Sequence, residues 1–112
     1  MEPIITGTKP ARKKVGLLLS TPPNHPNRTT VTNLAETAIR AGHDVYLYLI
    51  DEGTRNLDDP ELQRLRNSGL KLFACAYGAQ KQDVAMTDQA VFCGLVVLSD
   101  LIKGCNPFLS FN

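Results

Sequence analysis

The sequence lacks any hydrophobic run close to the roughly 20 residues that a membrane-spanning helix requires. Its 112 residues carry 12 basic and 11 acidic side chains, and this net charge of +1 gives no general attraction to nucleic acid or to a membrane surface. Residues 1–5 also lack the basic segment and the apolar segment that mark a secretory signal. We therefore expect one cytoplasmic domain that makes no membrane contact and no direct nucleic-acid contact.

Cysteine is scarce, and its spacing excludes the common cysteine motifs. Cys75, Cys93 and Cys105 form neither a Cys-x-x-Cys pair nor a disulfide framework. Together with His25 and His43 they do not supply the ligand spacing of a zinc site. The glycine patterns of dinucleotide-binding and P-loop proteins are also missing. We therefore expect no cofactor, no metal, and a reducing compartment.

The sequence does contain apolar runs that alternate with helix-forming segments. The apolar runs predict strands at residues 15–19, 45–50, 70–75, 91–98 and 108–111. Helices are predicted from about residue 30 to the glycine at 42, and at residues 60–68, 76–81 and 99–103. This order predicts a five-stranded, mostly parallel sheet in a three-layer α/β/α sandwich of flavodoxin-like type. Residues 1–12 are predicted to be a flexible N-terminal tail, and residues 13–112 the folded domain.

Cys75 is the candidate catalytic residue because of its predicted position. It ends the third strand and precedes a small-residue helix start, so its thiol would face free backbone N–H groups that favour the thiolate. Functional groups in parallel sheets gather beyond the carboxyl ends of the strands. Cys105 precedes the last strand and is predicted at the opposite edge, whereas Cys93 is predicted inside or just ahead of the fourth strand as a core residue. Cys75 would then be the only thiol at the functional edge, or an inert cysteine that fills the core.

The loop after the first strand is a second candidate binding segment. It is rich in Ser, Thr and Asn, as flavin-phosphate loops are, but Pro22, Pro23 and Pro26 each remove an N–H that would hold phosphate. His25 and Arg28 are predicted to lie in this loop at the same edge as Cys75. They would either steer an anionic sulfur donor towards the thiol or remain solvated.

The order of these blocks resembles the DsrE/DsrF/TusD-like (DsrE) family of small sulfur-relay proteins. The similarity spans residues 14–111 and is carried chiefly by the Gly-Leu-Lys-Leu-Phe-Ala-Cys block that ends at Cys75 and by the terminal Phe-Leu-Ser-Phe. The chain departs from the family pattern at Asn106-Pro107, where charged residues are usual, and in having Cys93 and Cys105 in addition.

The resemblance implies a sulfurtransferase function in which Cys75 holds sulfane sulfur as a persulfide and passes it to a TusA-like carrier protein. It also implies a homo-oligomer, either a trimer or a hexamer. Two alternatives stay open, namely a non-catalytic structural or binding subunit of a DsrE-like complex and a flavodoxin-like nucleotide or flavin binder. Because no second thiol is predicted beside Cys75, we expect the persulfide to be protected from release as sulfide.

Overall fold

The computed structural model describes residues 11–112, which form a five-stranded, all-parallel sheet with helices on both faces. The strands, in the spatial order β4-β3-β2-β1-β5, are β1 (Lys14–Leu19), β2 (Asp44–Leu49), β3 (Lys71–Cys75), β4 (Val91–Cys93) and β5 (Phe108–Phe111). The helices are α1 (Asn27–Arg40), α2 (Pro60–Asn67), α3 (Ala76–Lys81), α4 (Leu95–Gly104) and a 3₁₀ helix (Asp51–Asn56). The predicted α/β fold is confirmed, while the first ten residues of the predicted tail lie outside the described residues.

One face of the sheet carries the hydrophobic core, and we call it the core face. Alternate residues of the central strands point to this face, and helices α1 and α2 cover it with apolar side chains spaced three or four residues apart. Helix α2 begins at Pro60, where Asp59 accepts a hydrogen bond from the Glu61 N–H as its N-cap. The fully buried members of this core are Leu17, Leu19, Val31, Ala35, Val45, Leu47, Leu49, Leu62 and Ala74.

The opposite face, which we call the α4 face, is covered by helix α4. Its strand residues include Gly16 and Leu18 of β1, Tyr46 and Tyr48 of β2, and Phe73 of β3. At one end of α4 the Tyr48 hydroxyl donates a hydrogen bond to the Gly94 carbonyl, and at the other end Cys105 packs beside Gly16. Helix α4 buries none of its residues. The α4 face therefore keeps apolar surface in solvent.

The fourth strand begins at residue 91 as predicted, but its predicted end at residue 98 and the one-turn helix predicted at 99–103 are both wrong. Strand β4 ends at Cys93, and α4 begins at Leu95. The chain must cross from β4 at one edge of the sheet to β5 at the other, about 19 Å at ~4.8 Å per strand spacing. A ten-residue helix covers about 15 Å of that distance, twice what five helical residues cover. The crossover therefore takes the apolar residues 95–98 into the helix.

Helix α1 begins at Asn27, ahead of the predicted start near residue 30. Pro26 already has helical torsion angles and occupies the N-cap position without a side-chain cap, so neither Thr29 nor Thr30 is the N-cap. The ring of proline fixes φ near the helical value, which is why proline suits a helix start. Arg28 therefore lies in the first turn of the helix and not in the preceding loop.

None of the helices within residues 11–112 has the length and hydropathy to cross a bilayer.

Candidate functional site

Cys75 ends strand β3 and caps helix α3. Its Sγ accepts a hydrogen bond from the Gly78 N–H at 3.4 Å, and the side chain is buried, with 4% of its surface exposed. A hydrogen bond from a backbone N–H stabilises negative charge on the acceptor sulfur. The predicted placement of Cys75 at the carboxyl edge and at a helix N-terminus is confirmed.

Glycine at position 78 allows this arrangement. A Cβ there would lie 3.1 Å from the Asp51 backbone nitrogen, so a larger residue would push α3 away from the 3₁₀ helix. The close approach of α3 and the 3₁₀ helix therefore depends on the small residues that follow Cys75. The same small-residue stretch made the helix start visible in the sequence.

Cys93 lies beside Cys75, so the prediction of a single thiol at this edge is wrong. It is the last residue of β4, and the parallel register pairs it directly with Cys75. Residues that are paired in this way project from the same face of a sheet. The Cys93 Sγ is 3.9 Å from the carbonyl oxygen of Ala74, the residue before Cys75. The early end of β4 brings Cys93 to the edge, because a strand continuing to residue 98 would have kept it inside the sheet.

Tyr48 is the third side chain of this site, and it is not among the residues that sequence reasoning selects. It is fully buried in β2, and its hydroxyl donates to the Gly94 carbonyl at 3.1 Å. Burial raises the pKa of Tyr48 well above its usual value, and the charges of Cys93 and Cys75 raise it further. Tyr48 therefore keeps its proton at neutral pH. The one signal in the sequence is that Tyr46 and Tyr48 alternate with apolar residues of the strand, which places their hydroxyl groups on the α4 face.

The surroundings of Cys93 oppose ionisation of its thiol. Burial raises the pKa of Cys93, hydrogen bonding to Tyr48 lowers it in part, and the charge of Cys75 raises it again. Cys93 is therefore mainly a neutral thiol at neutral pH. It is only partly buried, unlike Cys75.

His25 and Arg28 are held by contacts of their own. The Arg28 guanidinium forms an ion pair with Asp59 at 3.3 Å and donates from Nε to the Pro23 carbonyl at 3.0 Å. The His25 Nδ1 accepts a hydrogen bond from the Asn27 N–H at 3.0 Å. Neither side chain forms a hydrogen bond or ion pair with Cys75 within residues 11–112. These contacts hold the loop against the start of α2. The steering of a sulfur donor by His25 and Arg28 stays a prediction.

The same loop offers few N–H groups to a phosphate. Its three prolines have none, and the His25 and Asn27 amides already donate to the Pro22 carbonyl and to the His25 ring. In the part of the chain that the structure describes, no three His, Cys, Asp or Glu side chains are grouped as metal ligands would be.

Cys105 lies at the amino edge of the sheet, as predicted. It follows α4 and is buried, and the next residue, Asn106, donates its N–H to the Lys14 carbonyl at the start of β1. A Cβ added to Gly16 would lie 2.9 Å from the Cys105 Cβ, which shows how closely the two segments pack. Burial raises the pKa of Cys105. A thiol in such packing fills space and is separated from Cys75 by the length of the strands.

Comparison with known proteins identifies relatives of both the sequence and the fold. The sequence model of the DsrE/DsrF-like family matches residues 13–111. The ychN protein from E. coli has the same fold with a TM-score of 0.75 and 15% sequence identity, over 89% of this chain and 99% of that one. A conserved protein of unknown function from Bacteroides thetaiotaomicron, BT1422, also has a TM-score of 0.75, at 17% identity over 88% of this chain and 95% of that one. No curated protein matches the sequence at a significant level.

Proposed function

Because the chain belongs to the DsrE/DsrF-like family, we propose that it is a sulfur carrier that holds sulfane sulfur as a persulfide on Cys75. In this role it relays the sulfur to a partner thiol in the cytoplasm, which makes it a sulfurtransferase. The observation that carries the proposal is the position of Cys75. Its sulfur lies at the carboxyl edge of a parallel sheet, where functional groups gather, and accepts a hydrogen bond from the Gly78 N–H.

The chemistry needs one nucleophilic thiol and two exchange steps. In the first step the Cys75 thiolate attacks a sulfane sulfur of the donor, a new S–S bond forms, and the remainder of the donor leaves as a thiolate. In the second step an acceptor thiolate attacks the outer sulfur of the persulfide, and Cys75 leaves as a thiolate again. Sulfur therefore moves without any net oxidation of the protein.

Burial of Cys75 suits a carrier. With 4% of its surface exposed, Cys75 is shielded from large molecules. The outer sulfur of a persulfide lies about 2 Å beyond Sγ, so loading extends the side chain beyond the position of the free thiol. A TusA-like carrier protein is the acceptor that we propose.

The apolar surface of the α4 face supports a homo-oligomer, and we propose a trimer or a hexamer on the family resemblance. Leu95, Val96 and Ile102 of α4 are 60%, 76% and 52% exposed. Contiguous apolar surface of this kind marks interaction sites in soluble proteins. Further copies of the same chain would bury these side chains.

Intact mass after incubation with an inorganic polysulfide tests the carrier proposal. The measurement uses the Cys93→Ser variant, in which Cys75 is the only thiol of the carboxyl edge. We expect a gain of about 32 Da, one sulfur atom, and no gain in the Cys75→Ser/Cys93→Ser double variant. Equal uptake by the two variants would overturn the proposal and favour a structural or binding subunit of the same fold.

A further inference from the structure

The pairing of Cys75 with Cys93 at the ends of two adjacent strands has chemical consequences. Adjacent strands lie about 4.8 Å apart, and a disulfide joins residues whose Cα atoms are about 4.4–6.8 Å apart. Cys75 and Cys93 are direct register partners, so their backbones already lie within this range. The Tyr48 hydroxyl donates to the carbonyl of Gly94, the residue after Cys93, so the phenol lies at the same end of the sheet as the two thiols.

Strand β4 is also free to make the small adjustment that an S–S bond requires. It has only three residues and lies at the edge of the sheet, paired with β3 alone. Gly94 follows Cys93, and a Cβ added there would meet no atom within 4 Å. A short edge strand with one neighbour is held by fewer contacts than a central strand, so β4 can make this adjustment more easily than the strands inside the sheet.

We propose that Cys93 is a resolving thiol that discharges a persulfide held on Cys75. The Cys93 sulfur attacks the inner sulfur, Cys75 Sγ, and the bond between the two persulfide sulfurs breaks. The outer sulfur departs as hydrosulfide with the proton that Cys93 gives up, and a Cys75–Cys93 disulfide remains. The persulfide anion and one thiol are thus converted into one disulfide and HS⁻, so atoms, charge and electrons balance with no further oxidant.

This step rests on the proposed persulfide on Cys75, but it attacks a different sulfur from the relay. An acceptor protein attacks the outer sulfur and receives the cargo, whereas Cys93 attacks the inner sulfur and releases the cargo as sulfide. The two routes compete, so a carrier with no acceptor bound loses its sulfur as sulfide. A dithiol reductant must then reduce the disulfide before Cys75 accepts sulfur again, and the reductant is oxidised to its own disulfide.

The proposal is tested by following intact mass and free sulfide over time after polysulfide loading and removal of excess donor. In wild-type protein we expect the gain of about 32 Da to decay to a loss of about 2 Da, with one equivalent of sulfide released. In Cys93→Ser the gain should persist about tenfold longer or more, since a neighbouring nucleophile reacts with a high effective concentration. Cys105→Ser serves as the matched control and should decay as wild type does, because Cys105 lies at the opposite edge.

Each outcome separates the two proposals. Persulfide that is as long-lived in wild type as in Cys93→Ser would overturn the resolving role and leave the carrier function intact. A mass gain that appears in none of the proteins would overturn the carrier function itself. Cys93→Ala is the second variant, and it should match Cys93→Ser. Peptide mapping of the wild-type end product should recover a Cys75–Cys93 cross-link, and a cross-link to Cys105 would contradict the proposal.

Discussion

Cysteine side chains lie at both edges of the sheet, but in different surroundings. At the carboxyl edge, Cys75 and Cys93 end adjacent strands, and the buried Tyr48 donates to the carbonyl of the residue after Cys93. At the amino edge, Cys105 is a single thiol packed against Gly16 and flanked by a backbone bond from Asn106 to Lys14. The first arrangement brings nucleophiles together, and the second fills space. Cysteine count and burial alone do not separate these cases, since Cys75 and Cys105 are both buried.

The largest expected difference between the edges is in the stability lost when alanine replaces a closely packed glycine. In Gly53→Ala the new Cβ would overlap the Leu19 carbonyl, a backbone group that cannot move away by a side-chain rotation. In Gly16→Ala it would overlap the Phe108 ring and the Cys105 Cβ. We expect losses in the free energy of unfolding of about 3 kcal/mol or more for Gly53→Ala and about 1–3 kcal/mol for Gly16→Ala. Urea denaturation at one protein concentration measures both.

Gly104→Ala is the control for this pair, because a Cβ at position 104 meets nothing within 4 Å. Its stability should stay within about 0.5 kcal/mol of wild type. A Gly53→Ala protein as stable as this control would show that the chain after β2 does not approach β1 as closely as described.

Assembly should depend on the α4 face that runs between the two edges. Val96→Lys places a charge at the most exposed apolar residue of α4, and we expect the proposed oligomer to dissociate or shrink because burial of an unpaired charge is costly. Thr37→Lys adds the same charge to the exposed side of α1 and should leave the mass unchanged. Light scattering after size exclusion measures both, and an unaltered mass for Val96→Lys would place the interface elsewhere.

Tyr48→Phe should produce the smallest of these effects and should affect one edge alone. The Tyr48 hydroxyl lowers the pKa of Cys93, so its removal raises that pKa and leaves less thiolate at any given pH. The pH midpoint for alkylation of Cys93 should therefore move upwards. The pKa of Cys105 is set by burial and by Lys14, so its midpoint should stay where it is. Alkylation followed by peptide mapping reports both thiols in one sample, and a shift at Cys105 or a downward shift at Cys93 would contradict this account.

The sequence predicts the part of the site that depends on neighbours along the chain. The position of Cys75 can be predicted because an apolar strand and a small-residue helix start adjoin it. The position of Cys93 cannot, because an unbroken apolar run conceals the end of the strand, and only the length needed to cross the sheet moves residues 95–98 into α4. The contact of Tyr48 with the segment after β4 joins residues 46 positions apart, so no local pattern reports it.

We propose that Cys75, and no other thiol, receives the sulfur. To test this, wild-type protein is loaded briefly with polysulfide and blocked with iodoacetamide, and the added sulfur is located by peptide mapping. We expect an early product with one extra sulfur on the peptide that contains Cys75 and none on the peptide that contains Cys105. Extra sulfur found first on Cys93 or Cys105, or on no cysteine at all, would contradict it.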